Sequence, residues 1–553
     1  MPRRPRIVLD RRQQGLVLAA VATGVLVGLV VAGFERLADG VVLHRVLDAP
    51  VWVQAVAPGI GLVLTVVILR FVSRDTSPAT ADEYVKSFHD RRPLSLRPVP
   101  GRLLAGVATV GSGGALGLEG PSIYAGAAIG SGMQRRLAGI FRRDDAKVLM
   151  VCGAAAGVAA IFKAPATGVI FALEVPYTDD VARRALIPAL VASAASYLTF
   201  VTLVGATPLF SLRDTGESTQ FNLADLGGAL ALGILAGVLA RGFAGLVHQA
   251  KRIASERPLL VRLPVGAVVL GGLVVVAQAV FEAPLTLGPG YDVFRWVASP
   301  DRTLVLIALL FALRGVATLT TLAAGGTGGL FIPLAVQGML LGRFVAGVVG
   351  SASTLFPVIG LAAFLGAGYR TPIASVMFVA ETTGRALYVV PALVAAAASQ
   401  LLIGRATVSS GQQSVRSGHL ERRFRLPIST ALSTDVLTVP PDASAAELVW
   451  THVVARRERA VPVVDEATYL GMARIEEVSE LDRSTWETTP VTEVMRTDLP
   501  LADPSWTLRD AVVAMEAADV DRLAVADARG TFVGVVLLAE IVKLDEILDE
   551  TGG

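Results

Sequence analysis

Glu119 is the single carboxylate in "GGALGLEGPSIYAGAAIGS", residues 113–131, where glycines and apolar residues surround it on both sides. A charged side chain at the centre of a bilayer costs roughly 2.5–3.5 kcal/mol on insertion scales, so a carboxylate in such a setting marks a function by default. Glycine-rich backbone ahead of a helix leaves amide N–H groups unpaired and aims the positive end of the helix dipole at whatever lies before it. That is an anion site made without a full positive charge, weak enough to release what it holds. A carboxylate beside it is a tethered anion: ionised it occupies the site, protonated it leaves. The bland alternative is that Glu119 only caps the helix end.

The surrounding chain sets Glu119 in a membrane. Of 553 residues, 53% are hydrophobic and 17% charged, too apolar for a soluble protein of this length. Apolar stretches near the length needed for about 30 Å of hydrocarbon cover residues 15–33, 51–72, 185–204, 223–247, 263–280, 304–322, 331–349, 358–380 and 389–403. The run "MPRRPRIVLDRRQQ" precedes the first of them without a cleavage site, so a retained helix with a cytoplasmic amino terminus is expected. A net charge of +2, with the arginines in loops, points to no nucleic-acid partner. Cys152 is the only cysteine, which excludes an intrachain disulfide and a cysteine metal cluster. The five histidines lack metal-ligand spacing, and no nucleophile with a base or phosphate-cradling loop stands out, so neither a metal site nor an enzymatic role is expected.

Two blocks repeat within the oily part. Residues 153–174, "GAAAGVAAIFKAPATGVIFALE", lie without a gap on 360–381, "GLAAFLGAGYRTPIASVMFVAE", with Lys163 on Arg370 and Glu174 on Glu381. Upstream, "GLEGPSIYAGAAIG" lies on "GLFIPLAVQGMLLG", with Gly117 on Gly329, Pro121 on Pro333, Gly126 on Gly338 and Gly130 on Gly342. Repeats of this kind, inverted across the membrane, place ion sites near the midplane between broken helices.

The motifs "GLEGP" and "GLFIP", with the two "P…FxxE" helices, resemble the CLC family of chloride channels and proton/chloride exchangers. The tail, in which each of two stretches has a short strand, an amphipathic helix, a strand ending in Asp465 or Asp527 and a further strand after a turn with Gly471 or Gly534, resembles a CBS pair. The resemblance implies an all-α polytopic membrane protein with two inverted helical repeats and broken helices, followed by a cytosolic α/β CBS pair. The expected divisions are a basic terminus over 1–14, a transport domain over 15–410, a linker over 411–426, and CBS modules over 427–490 and 491–553. By the same resemblance Glu119 is the gating glutamate in a motif usually written GREGP, with Leu118 in place of the arginine. Gly117, Leu118, Gly120 and Pro121 lie with it on the anion path, as do Gly329, Leu330, Phe331 and Ile332; the amides of Leu330 and Phe331 would hold the central ion. The resemblance also implies a homodimer in the inner (plasma) membrane, with chloride, protons and lipid as partners.

Three departures qualify it. The family's GSGIPE motif is absent; "TSPATADEYVKSF" stands there, with Ser77 or Thr80 left to supply a hydroxyl. The central tyrosine that closes the inner side of the site falls within "LIGRATVSSGQ", where Val408 takes its place beside Ser409. The acid that hands protons to the cytoplasm in exchangers is replaced by Val175, and valine carries no proton. The expectation is therefore a passive chloride channel gated by Glu119. The alternatives are a proton/chloride antiporter, and a membrane-anchored CBS sensor whose transport has decayed. In the tail, the Ser/Thr and Asp that hold a ribose are replaced by Leu537 and Glu540, and by Arg474 and Glu477 in the first module. A structural or dimerising tail is thus expected ahead of an adenine-nucleotide site.

Overall fold

Lys163 and Arg370, matched by the repeat, have the same backbone conformation: each ends a helix in the left-handed region, at φ 53° and 57°. Two residues later a proline, Pro165 or Pro372, starts the next helix at a position where its missing N–H costs nothing. The apolar stretch expected over 358–380 is therefore two short helices, as is its counterpart. Among the described residues, eight helices are long and apolar enough to cross a membrane.

The computed structural model of the chain describes residues 11–74, 76–90, 93–137, 147–207, 221, 223–299, 302–349, 354–413, 424, 426–455 and 458–551. The basic terminus expected over 1–14 and the linker expected over 411–426 lie largely outside them. The chain divides into two units, Met1–Val415 and Arg416–Gly553.

In the first unit, α1 (Arg11–Glu35) runs through a π-helical stretch, Arg36–Leu43, into α2 (His44–Leu47), followed by α3 (Val51–Phe71), α4 (Ala81–Asp90) and α5 (Val99–Gly106). The first repeat core is α6 (Glu119–Arg136), α7 (Val148–Phe162) and α8 (Pro165–Glu174), with α9 (Leu186–Val204) packed on it. Four helices, α10 (Leu223–Glu256), α11 (Leu259–Phe281), α12 (Tyr291–Val297) and α13 (Leu304–Ala323), lead to the second core. That core is α14 (Phe331–Val349), α15 (Leu355–Tyr369) and α16 (Pro372–Thr383), with α17 (Val389–Ile403) against it.

Glycine makes the tight crossings possible, because small residues are what let helix backbones approach in lipid. A Cβ on Gly126 of α6 would lie 2.0 Å from the Gly153 carbonyl of α7, and one on Gly153 1.9 Å from that of Gly126. The second core repeats the arrangement at Gly338 and Gly360, each 2.3 Å from the other's carbonyl. The repeat also extends past the blocks visible in the sequence. Gly24 and Gly28 of α1 close on the Ala192 and Ser196 carbonyls of α9, as Gly233 and Gly237 of α10 close on Ala395 and Ser399 of α17.

The second unit holds two antiparallel hairpins. β1 (Leu432–Ser433) pairs not with the hairpin that follows it, β2 (Ala460–Asp465) and β3 (Thr468–Arg474), but with the last strand of the chain. Conversely β4 (Met495–Arg496) completes β2 and β3, while β5 (Arg522–Ala526) pairs with β6 (Phe532–Leu537). The sheet orders β1-β6-β5 and β2-β3-β4 interleave the modules, so a cut at residue 490 separates β1 from the sheet it belongs to.

Candidate anion pathway

Gly117 and Gly329 face each other as an antiparallel bridge, each donating its N–H to the other's carbonyl at 2.8 Å. Just beyond the bridge, α6 begins at Glu119 and α14 at Phe331, so the amino termini of the two cores converge on one point. The Glu119 side chain, fully buried, turns away from its own helix toward the other. Its Oε1 accepts a 2.6 Å bond from the Phe331 N–H, while Oε2 has no protein partner. A Cβ on Gly117 or Gly329 would fall 1.9 or 2.1 Å from a carboxylate oxygen, so the lane the side chain uses exists only because both residues lack one. A carboxylate on a helix N-terminal amide is a strong, charge-assisted contact. Here the carboxylate of one repeat sits on the helix N-terminus of the other.

The other residues expected on the path gather in the same two first turns. Leu118, buried, is the N-cap residue of α6, and its carbonyl accepts the Ser122 hydroxyl at 2.9 Å. Pro121 abuts Gly106 of α5, and Ile332 is fully buried in α14. The Leu330 amide is occupied too, donating at 3.2 Å to the Tyr369 hydroxyl. Phe331 lies in an aromatic cluster with Phe162, Phe171, Phe378 and Tyr369.

Four further residues bear on the path. Ser77 is exposed and its hydroxyl accepts the Ala79 N–H at 3.1 Å, so that hydroxyl is engaged within its own loop. Thr80, at the start of α4, is the alternative with the fitting geometry: it is buried, its Oγ1 has no protein partner among the described residues, and a Cβ on Gly120 would meet that oxygen at 2.5 Å. Val408, also buried, offers only backbone, its N–H donating to Gly368 O at 2.8 Å. The aromatic hydroxyl missing there arrives from another element, Tyr369 at the end of α15. The repeat that sets Gly153 on Gly360 sets Tyr369 on Phe162, a signal for an added hydroxyl that was readable in the sequence.

Val175 is buried and its carbonyl accepts the Gln412 side chain at 2.8 Å; its own side chain has no proton to exchange. Glu174 and Glu381 are reciprocal staples. Glu381 accepts the Ala166 and Thr167 amides at 2.8 and 2.7 Å and the Thr167 hydroxyl at 2.6 Å, at the start of α8. Glu174 accepts the Ile373 and Ala374 amides at 3.2 and 2.8 Å, at the start of α16.

In the second unit, Arg474 is drawn into ion pairs with Glu476 and Glu477 at 3.5 and 3.8 Å, and Glu540 lies 3.6 Å from Lys543. Asp527 closes the β5–β6 turn by accepting the Thr531 and Arg529 amides, and those bonds hold its carboxyl below the usual carboxylate range.

A family model described as voltage gated chloride channel matches residues 60–404, and one described as CBS domain matches 428–482 and 491–546. The H(+)/Cl(-) exchange transporter ClcA of Cronobacter sakazakii is 28% identical over 428 residues, covering 71% of this chain and 87% of that protein. A slow cyanobacterial Cl-/H+ antiporter superposes with a TM-score of 0.63 at 21% identity, over 72% of this chain and 95% of the other. A eukaryotic CLC transporter superposes over 95% of this chain and 97% of its own, with a TM-score of 0.59 at 16% identity.

Proposed function

Because the chain belongs to the voltage gated chloride channel (CLC) family, a multi-pass membrane family that transports chloride, we propose that it exchanges chloride for protons, with Glu119 the group on which the two compete. The observation that carries this reading is the Glu119 carboxylate seated on the Phe331 amide, where an anion would otherwise bind. An ion that displaces it needs the carboxylate neutralised or moved, so each arrival of chloride is tied to a change at a proton-binding oxygen. Support also comes from the relative in Cronobacter sakazakii, an exchanger by name.

The seat is flanked by the hydroxyls of Tyr369, which accepts the Leu330 N–H, and of Thr80, neutral groups with a hydrogen to donate to a small anion without trapping it. Arrangement in the inner membrane as a homodimer, with the amino terminus and tail on the cytoplasmic side, belongs to the same proposal, as do the absence of an enzymatic activity and a tail that acts structurally. A passive channel is the second reading, and Val175 is the observation in its favour. A sensor with decayed transport has less behind it, since both first turns and the lane between them are intact.

Chloride efflux from proteoliposomes, with external pH recorded at the same time, decides between the first two. Uptake of protons in fixed proportion to chloride released is the expected result; efflux with no pH change would make the protein a channel. For the tail, adding ATP or AMP to the full-length protein at millimolar concentration is expected to leave its melting temperature unchanged within about 1 °C, since a site filled at a hundred times its Kd would add about 2.7 kcal/mol. A clear upward shift would reverse the reading of Leu537 and Arg474.

A further inference from the structure

Lys251, near the end of α10, reaches out of its helix to a cluster that the anion seat does not use. Its Nζ donates to the Val408 carbonyl at 2.7 Å and to Ser410 Oγ at 3.4 Å, and pairs with Asp82 Oδ2 at 2.5 Å. The other oxygen of Asp82 accepts the Ser410 N–H at 2.9 Å and the Ser409 hydroxyl at 3.4 Å. Asp82 stands two residues after Thr80, and Ser409 one residue after Val408. The cluster therefore ties the segment carrying the buried Thr80 hydroxyl to the segment carrying Val408. Nothing in a valine side chain can make that tie, because it has no polar atom.

The segment around Val408 is held on its other flanks as well. The His248 ring contacts Thr407 O at 2.7 Å, and Gln412 donates to Tyr369 O at 2.9 Å. These fix the segment to α10 and α15, whereas Asp82, through its bonds to Ser409 and Ser410 and its pair with Lys251, joins it to α4. The pair is partly open to solvent, with side chains 18% and 26% exposed, so it can break without a wholly unpaired charge being left in a dry interior.

We propose that Asp82 and Lys251 are a clasp that sets the aperture of the pathway between Thr80 and Val408, doing by an ion pair to the backbone what an aromatic hydroxyl at residue 408 would do by a side-chain bond. Both are positioning residues, acting through Val408 and Thr80 and not on the ion. The inference rests on the exchange reading in one respect: a constriction on this side is what keeps chloride from slipping past while Glu119 is protonated.

The test is Lys251→Met and Asp82→Asn in the full-length protein in proteoliposomes, with Lys251→Arg as the conservative variant. Each of the first two is expected to raise chloride turnover by about tenfold, the scale set by losing a charge-assisted hydrogen bond, and to raise the ratio of chloride to protons moved. The double variant is expected to add little to either, since both break one clasp, and Lys251→Arg to behave as wild type. An independent readout is Val408→Cys with a water-soluble thiol reagent. The only native cysteine, Cys152, is fully buried, so labelling reports residue 408, and it is expected to be at least several-fold faster in the presence of Lys251→Met. Unchanged turnover and labelling in both single variants would overturn the clasp. A fall in turnover with weaker chloride dependence in Lys251→Met, but a rise in Asp82→Asn, would also overturn it, making Lys251 an anion attractor. Wild-type efflux without protons would sink exchange while leaving turnover and labelling to judge the clasp.

Discussion

Glu119→Gln is expected to leave chloride efflux running, abolish proton uptake and remove the dependence of efflux on pH. The reasons lie in one contact. In the wild type the carboxylate, fully buried beside the bridged glycines, holds the Phe331 N–H at 2.6 Å. Glutamine keeps the length and shape but carries no charge, so it competes for the amide as an uncharged group, and a charge-assisted bond worth about 1.5–3 kcal/mol is lost from the side that opposes the anion. Chloride should bind more readily by about tenfold or more. Since an amide does not take up and release a proton near neutral pH, nothing remains at this point for the counter-ion to ride on. Efflux from the Gln variant that stays as pH-sensitive as wild type would remove Glu119 from the gate. Efflux that stops altogether would mean the carboxylate's charge is needed for conduction itself.

What the sequence made legible was whatever depends on spacing along the chain. Gly117 and Gly329, Lys163 and Arg370, Glu174 and Glu381 could be paired by laying one block on another, and in the structure each pair occupies equivalent ground. The choice between Ser77 and Thr80 could not be made that way, because it turns on where α4 begins and thus on which hydroxyl is carried beside Gly120. Tyr369 was legible only as the hydroxyl that the repeat adds opposite Phe162, not by its role. A hydroxyl was sought at residue 408, at the end of the domain, and came instead from the last residue of α15, reaching Leu330 across the fold. Lys251 gave no local signal at all: on a helix end, a lysine reads as a solvated cation, and only the tertiary fold brings it to Asp82 and Val408. The exchange of β1 and β4 between the hairpins was equally invisible, since a two-residue strand has too few positions to encode its partner.

Glu381→Ala is expected to be the more damaging substitution for the fold, and it separates the carboxylates of the membrane half by role. Glu381 alone satisfies two backbone donors and a hydroxyl at the start of α8, a helix that begins at a proline in the middle of the domain and cannot borrow acceptors from the preceding chain. Losing the carboxylate leaves those donors without a partner at about 1–3 kcal/mol for each that stays dry. A fall of about 5 °C or more in the temperature at which the detergent-solubilised protein loses its monodisperse peak is the corresponding shift. Glu174→Ala should show the same defect through α16, because the two staples are one device used twice. The outcomes are opposite to those at Glu119, where the Gln variant should remain stable and lose coupling. Protein that survives Glu381→Ala should still couple chloride to protons, since its carboxylate bonds to Ala166 and Thr167 at the start of α8 and not to the Phe331 amide that holds Glu119. A stable Glu381→Ala protein with altered coupling would show instead that these carboxylates take part in proton movement, and would supply the acid that Val175 lacks.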